Sequence, residues 1–256
     1  KQNRRRTYVY AYDTAGNIIS KRTYSLTSEN VTPTNLISTN SYSYSTGAWG
    51  DLLTEYNGVE LEYDAIGNPT SYYNGKQYDL NWTGRRLTGA TKHFYDGYSR
   101  SFTYDYNDDG LRIRKTEGNT VTNYYYSGSQ LIAEETNGNI RVYVYDAAGS
   151  PIGMQIYNAT GYFSNEWYEF WFEKNLQGDI VAVWGGTQKY ISYTYDAWGN
   201  FTTQYYIDGY SDLGVYDNPF LYRGYYYDRD LGLYYLQSRY YDSIVGRWIN
   251  SDGIMA

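Results

Sequence analysis

Pro219-Phe220-Leu221-Tyr222-Arg223-Gly224-Tyr225-Tyr226-Tyr227-Asp228 opens a stretch near the C-terminus of the chain. It runs on through Gly232-Leu233-Tyr234-Tyr235-Leu236-Gln237-Ser238-Arg239-Tyr240-Tyr241-Asp242 to Gly246-Arg247-Trp248-Ile249-Asn250-Ser251-Asp252. Two Tyr-Asp pairs and three spaced glycines fall within it. Looser versions of the same unit lie upstream. The stretch therefore reads as the most ordered winding of a repeat, and the preceding residues as earlier windings.

The unit is Tyr-x-Tyr-Asp-x-x-Gly-Asn. It occurs as Tyr10-Ala11-Tyr12-Asp13-Thr14-Ala15-Gly16-Asn17 and as Tyr63-Asp64-Ala65-Ile66-Gly67-Asn68. It returns as Tyr143-Val144-Tyr145-Asp146-Ala147-Ala148-Gly149-Ser150 and Tyr193-Thr194-Tyr195-Asp196-Ala197-Trp198-Gly199-Asn200. Variants are Tyr78-Asp79 leading to Gly84, Tyr104-Asp105 leading to Gly110, Tyr227-Asp228 with Gly232, and Tyr241-Asp242 with Gly246. Tyr-x-Tyr is an alternating strand with both rings on one face. The Asp carboxylate caps backbone N–H groups at the turn, and Gly supplies the positive φ that a side chain resists. Asp13, Gly16, Asp64, Gly67, Asp146, Gly149, Asp196, Gly199, Asp228, Gly232 and Gly246 are the expected structural turn residues. Asn57-Gly58, Asn74-Gly75 and Asn137-Gly138 mark further hairpins.

No segment carries a helical period. The aromatic run 166–173 and Ile180-Val181-Ala182-Val183-Trp184 read as two apolar strands of a hairpin. Residues 25–40 and 204–217 read as insertions or long loops, and the Ser-Tyr-Ser-Tyr-Ser-Thr-Gly run at 41–47 as a degenerate unit. Unit spacing is too irregular for the steady blade period of a propeller. The expected fold class is all-β.

Composition agrees. The chain has 256 residues, 38 of them Tyr, and only 4 Pro. Tyr buries a large flat ring and keeps a hydroxyl to be satisfied, which suits thin sheets better than a helical core. The net charge of -7, with both signs interspersed, argues against nucleic-acid binding; Arg4-Arg5-Arg6 reads as a solvated end. Cys is absent, so there is no disulfide framework or thiolate chemistry. No apolar run reaches the ~18 residues of a membrane span. With Lys1 in place of an initiator Met, and Ala256 just after a dense motif, the chain reads as a section of a longer polypeptide.

These residues resemble the Rhs/YD-repeat family: bacterial Rhs proteins, the C component of insecticidal Tc toxins, and animal teneurins. The stretch from Asn218 to Ile249 is similar to the Rhs repeat-associated core, and Tyr195-Asp196-Ala197-Trp198-Gly199-Asn200 to a final repeat before it. Asn175-Leu176-Gln177-Gly178-Asp179-Ile180 and Asn250-Ser251-Asp252-Gly253 resemble Gram-positive, clostridial-type versions. The resemblance implies a β-hairpin ribbon spiralling into part of a hollow shell, closed by the core. It divides the chain into a repeat segment, 1–218, and the core, 219–256, as one continuous β structure. It implies a secreted or cell-surface parent whose shell encloses and delivers a C-terminal effector, often a toxin. The implied partners are that effector, shell segments nearer the N-terminus and an immunity protein for the effector; nucleic acid and cofactors are not among them.

In the family the core also cuts the chain downstream as an aspartyl protease. Asp242 and Asp252 stand where the resemblance places such a pair, with Arg239 and Arg247 near in sequence to tune them. Two close carboxylates cannot both ionise easily, so one stays protonated while the other activates water. The Asp-Pro usual in the family is Asp242-Ser243 and Asp252-Gly253 here, and the competing reading is that both Asp cap turns. Arg223, Arg239 and Arg247 equally suit stacking on Tyr and pairing with carboxylates. His93 is the only histidine, which removes His-rich metal sites, and it reads as a surface or sheet residue. Asn107-Asp108-Asp109-Gly110 lacks the ligand ladder of a calcium loop and reads as a solvated turn; no metal site is expected. A third reading, an adhesion or carbohydrate-binding module, rests on the aromatic content. Periodic placement favours cross-strand ladders instead.

Overall fold

The computed structural model describes residues 6–28, 31–47, 49–159, 164–207 and 213–251. Twenty-three strands and two single-turn 3₁₀ segments, Val215–Asp217 and Tyr222–Gly224, make up its regular structure. The chain is all-β, and the named strands pair antiparallel, each with its sequence neighbours within one of three sheets of five, fourteen and four strands. Contacts divide it into two compact units, Lys1–Asp79 and Leu80–Ala256.

In the first unit β1 (Arg6–Tyr12), β2 (Ile18–Ser25), β3 (Leu36–Tyr44), β4 (Leu53–Tyr56) and β5 (Val59–Glu60) lie in sequence order. β6 (Glu62–Tyr63) and β7 (Pro69–Tyr73) follow, and β8 (Gln77–Thr83) begins here and ends in the second unit. Tyr42, Leu53, Tyr56, Leu61, Tyr72 and Tyr78 are buried.

The second unit continues with β9 (Arg86–His93), β10 (Ser99–Tyr106), β11 (Arg112–Glu117), β12 (Thr120–Ser127), β13 (Gln130–Thr136) and β14 (Asn139–Tyr145). After these come β15 (Pro151–Tyr157), β16 (Trp167–Lys174), β17 (Ile180–Gly185), β18 (Gln188–Tyr195) and β19 (Phe201–Tyr205). A separate four-stranded sheet is made by β20 (Tyr226–Asp228), β21 (Leu233–Tyr235), β22 (Tyr240–Asp242) and β23 (Arg247–Trp248). The period of two decides which face is covered. In β10 Phe102 and Tyr104 are buried while their neighbours are exposed; in β16 Phe170 and Phe172 are buried while Trp167 and Trp171 are exposed. The covered face of β14–β18 joins Leu213, Val215, Phe220, Leu221 and Tyr234 in one core, so the C-terminal stretch folds back over the hairpins.

The expected hairpin of 166–173 with 180–184 is present as β16 paired with β17. Three expectations are corrected. Asp79 lies inside β8 opposite Ser71, and Asp105 inside β10 opposite Arg114, so neither opens a turn; the reversal after β10 starts two residues later, at Asn107, whose backbone N–H bonds Leu111 O. Residues 36–40, expected in a loop, belong to β3 because they pair in register with β2. Of the three Asn-Gly pairs, Asn57-Gly58 and Asn137-Gly138 have positive φ at both residues, as a type I′ turn requires, whereas at Asn74-Gly75 only Gly75 does.

A second kind of tight turn stands out only in the structure. Gly84, Gly118, Gly128 and Gly186 each open a two-residue hairpin loop with φ between 55° and 58°, followed by a residue of ordinary φ. That is the II′ arrangement, in which glycine takes the first central position.

Candidate functional site

The site begins with the turn chemistry. At Asp13, Oδ1 accepts the N–H of Ala15 (2.9 Å) and of Asn17 (2.8 Å), and Oδ2 accepts Asn17 Nδ2 (2.9 Å). Asp64 does the same with Ile66, Asn68 and the Asn68 amide. Asp146 caps Ala148 and Ser150, and Asp196 caps Trp198 and Asn200. Gly16, Gly67, Gly149 and Gly199 take φ between 79° and 88°. In the core, Asp228 O accepts the Gly232 N–H and Asp242 O the Gly246 N–H. Those N–H bonds hold the carboxyls of Asp13 and Asp146 below their ordinary range, the Asn17 side chain first for Asp13 and the Ser150 N–H first for Asp146. Asn175 and Asp179 mirror the pattern: the amide residue comes first and accepts the N–H groups, and its Nδ2 donates to Asp179 (2.7 Å).

The Asp196 turn is where the C-terminal stretch takes hold. Its next three carbonyls, Ala197 O, Trp198 O and Gly199 O, each accept one tyrosine hydroxyl: Tyr222 (3.0 Å), Tyr241 (2.9 Å) and Tyr234 (2.9 Å). Asn200 Nδ2 donates to Ser243 O at 2.5 Å. A Cβ on Gly199 would stand 2.7 Å from the Tyr222 ring, so the close approach itself needs glycine.

The second attachment is ionic. Arg112, at the start of β11, and Asp228, at the end of β20, are both fully buried and bond at 2.8 Å. The rings of Tyr104, Tyr124, Tyr226 and Tyr235 surround the guanidinium at 4.3–5.8 Å. Arg112 Nε and Nη2 have no hydrogen-bond partner among the described residues, and the ring faces stand in for one. Burial pushes the Asp228 carboxyl up, but Lys115, Arg112 and the Leu231 N–H outweigh it and bring it down to about 2. Burial likewise pulls Lys115 down, and the carboxylates of Asp228 and Asp230 more than reverse it.

Asp230 sits on the outer side of the same turn. Arg100 Nη2 donates to its Oδ1 (2.8 Å) and Lys115 Nζ to its Oδ2, while Lys92 Nζ donates to the carbonyls of Asp230 (2.8 Å) and Leu231 (3.0 Å). Glu117 holds Arg100 from the other side with both oxygens. A third cluster joins Glu134 to Arg141 and to the Tyr226 hydroxyl (2.7 Å). Arg100, Lys115, Glu134, Arg141, Asp228 and Asp230 line one polar cavity of about 500 Å³.

The residues singled out for self-cleavage are placed as follows. Asp242 is fully buried, and its Oδ1 accepts the N–H of Ile244 (2.7 Å) and Val245 (3.2 Å). Arg247 lies opposite it in the β22–β23 pair. The Arg239 guanidinium stands 4.0 Å from the Trp248 ring. Asp252 lies outside the described residues. The structure therefore sets Asp242 opposite Arg247 across the strand pair, while Arg239 stacks on Trp248. Among the described residues no group of three or more His, Cys, Asp or Glu is placed to hold a metal ion, and no helix is long and apolar enough to cross a membrane. His93 Nδ1 meets Ser99 Oγ across β9–β10 at 2.8 Å.

Sequence reasoning missed Arg112, Lys115, Arg100 and Lys92. Each alternates along an ordinary strand, and the partner of Arg112 is 116 residues away, so only the folded pairing reveals it.

No family model matches the chain. It is 34% identical over 207 residues to the tRNA3(Ser)-specific nuclease WapA of Bacillus spizizenii and 35% identical over 207 residues to the tRNA nuclease WapA of Bacillus subtilis. Each match covers 78% of this chain, which spans only about 8% of the length of those relatives. Among solved structures it is similar to TcdB2-TccC3 without its hypervariable C-terminal region, with a TM-score of 0.72 at 19% identity over 97% of this chain and 12% of the other. A second TcdB2-TccC3 structure, TcdB2-TccC3-TEV, gives a TM-score of 0.67 at 20% identity, again over 97% of this chain and 12% of that one. The chain thus has the antiparallel β fold found in those structures.

Proposed function

We propose that the chain is the C-terminal part of an Rhs/YD-repeat wall in a secreted polymorphic-toxin-type protein. Residues 1–218 form wall and 219–256 form the core that closes it; the clostridial-type features at 175–180 and 250–253 belong to this reading. The parent encloses an effector that follows the core and delivers it outside the cell, where an immunity protein protects the producer. The observation that carries the reading is the way the core stretch folds back on one face of the hairpin sheet, held by the Asp196 turn and by Arg112. The similarity to TcdB2-TccC3 in fold and to WapA in sequence supports the same reading.

Cryo-electron microscopy of the full-length parent tests it. A continuous β wall around a cavity that holds the effector is expected; a solid rod overturns it. Self-cleavage belongs to the same experiment. Parents carrying Asp242→Asn or Asp252→Asn are compared with wild type on a gel. A fragment lost in either variant assigns the cut to that carboxylate, and an unchanged pattern leaves Asp242 as a turn cap.

A further inference from the structure

We infer that Lys92, Arg100 and Lys115 form an anion socket that the chain's own Asp230 occupies, and that a multivalent oxyanion competes with Asp230 for it. Three successive strands, β9, β10 and β11, each send one cation to the same point. The occupant is a carboxylate on the short loop between β20 and β21, anchored at its start by the buried Asp228–Arg112 bond.

The two halves of this attachment differ in access. Asp228 and Arg112 have no exposed side-chain surface, whereas Asp230 and Arg100 are 28% and 29% exposed and line the 500 Å³ cavity. Ionic competition reaches the outer half and not the inner one, because screening acts on partly exposed charges and little on buried ones. With Asp230 displaced, Lys92, Arg100 and Lys115 face the carboxylates of Glu117 and Asp228, the latter paired with Arg112, which leaves a net positive site beside a polar cavity. The attachments at the Asp196 turn are neutral tyrosine hydroxyl bonds, which salt does not screen. Displacement therefore frees the Asp230 side of the loop, while the Leu231 N–H stays on Asp228 Oδ1 and the Gly232 N–H on Asp228 O. The inference rests on distances within Leu80–Ala256 and stands whether or not the parent encloses an effector.

The test uses pyrophosphate as the probe and amide hydrogen exchange of Arg229 and Asp230 as the readout, with sodium chloride at matched ionic strength as the reference. Pyrophosphate at millimolar concentration is expected to speed exchange there at least fivefold over the chloride reference, with Tyr240 and Tyr241 unchanged. The Asp230→Asn chain is expected to bind pyrophosphate at least tenfold more tightly than wild type by calorimetry, and Lys115→Gln to abolish the exchange effect. Equal exchange in pyrophosphate and chloride overturns the socket, as does equal pyrophosphate affinity in wild type and Asp230→Asn. Should Asp230→Asn fail to fold, the wild-type and Lys115→Gln exchange measurements decide the matter alone.

Discussion

Tyrosine is the residue that explains the composition. Tyr44, Tyr63, Tyr106, Tyr126, Tyr145 and Tyr195 stand at or near strand ends, and each donates its hydroxyl to a carbonyl at the start of an earlier strand: Ile18, Leu53, Leu87, Arg112, Leu131 and Ile180. The ring packs and the hydroxyl pins the open end of a hairpin, a pair of tasks Phe and Leu cannot combine. Tyr195→Phe should therefore destabilise by about 1 kcal/mol, because it orphans the Ile180 carbonyl while leaving the ring in place; urea unfolding measures it. Arg112→Met should cost far more, about 3–5 kcal/mol, since it leaves Asp228 charged and unpaired in the core. The paired change Arg112→Met with Asp228→Leu should recover most of that loss. Asp228 also sets a pH dependence. Its carboxyl is depressed in the folded chain, so its stabilisation, on the order of 2 kcal/mol, is present above the unfolded value near 4 and lost as pH falls toward about 2. Unfolding free energy followed from pH 5 to pH 2 should show this fall, and Asp228→Asn should flatten it.

At the scale of elements, the repeat is a hairpin ribbon whose turns come in two chemistries. Asp- or Asn-capped five-residue turns alternate irregularly with two-residue glycine turns. The ladder shifts register by one residue beside the turns at Asp13, Asp64, Asn107, Asp146 and Asn175. Such bulges sharpen the local right-handed twist, so each capped turn also bends its hairpin. The Asp196 turn differs from these in an unshifted ladder, Tyr195 opposite Phe201 and Thr194 opposite Thr202, and in what grips it. Gly16→Ala and Gly199→Ala both place a side chain at positive φ, but nothing lies within 4 Å of the new methyl at Gly16. Gly16→Ala should cost about 1 kcal/mol, and Gly199→Ala about 2–3 kcal/mol because the Tyr222 ring must also move. Thermal unfolding of the two variants side by side separates backbone strain from loss of the clasp.

Across the whole molecule, burial of tyrosine makes the fold sensitive to alkali. Burial raises Tyr104, Tyr143, Tyr226 and Tyr240 well above the ordinary phenol value, raises Tyr124 as well, and brings Tyr126, Tyr193 and Tyr227 to about 12. A raised folded value means that stability is full below about pH 10 and falls above it, as the unfolded chain ionises first. Absorbance at the phenolate band should show a late phase, from the buried rings, coincident with unfolding. A single smooth phase would contradict the buried ladder.

The residue pattern by itself determined the all-β class, the fold-back at Asp13, Asp64, Asp146 and Asp196, and the special status of the C-terminal stretch. These depend on interactions within five residues: a carboxylate reaching N–H groups two and four positions on, and a glycine at positive φ. It misjudged Asp79 and Asp105, where the same dipeptide lies inside a strand because cross-strand pairing outweighs local turn preference. It gave no sign of Arg112 meeting Asp228, of three carbonyls after Asp196 each taking a tyrosine hydroxyl, or of three lysine and arginine side chains converging on Asp230. Those contacts join residues far apart in the chain, and a charge alternating along an exposed-looking strand carries no mark of its partner. Only the folding of the C-terminal stretch over the hairpins brings the two sides within bonding distance.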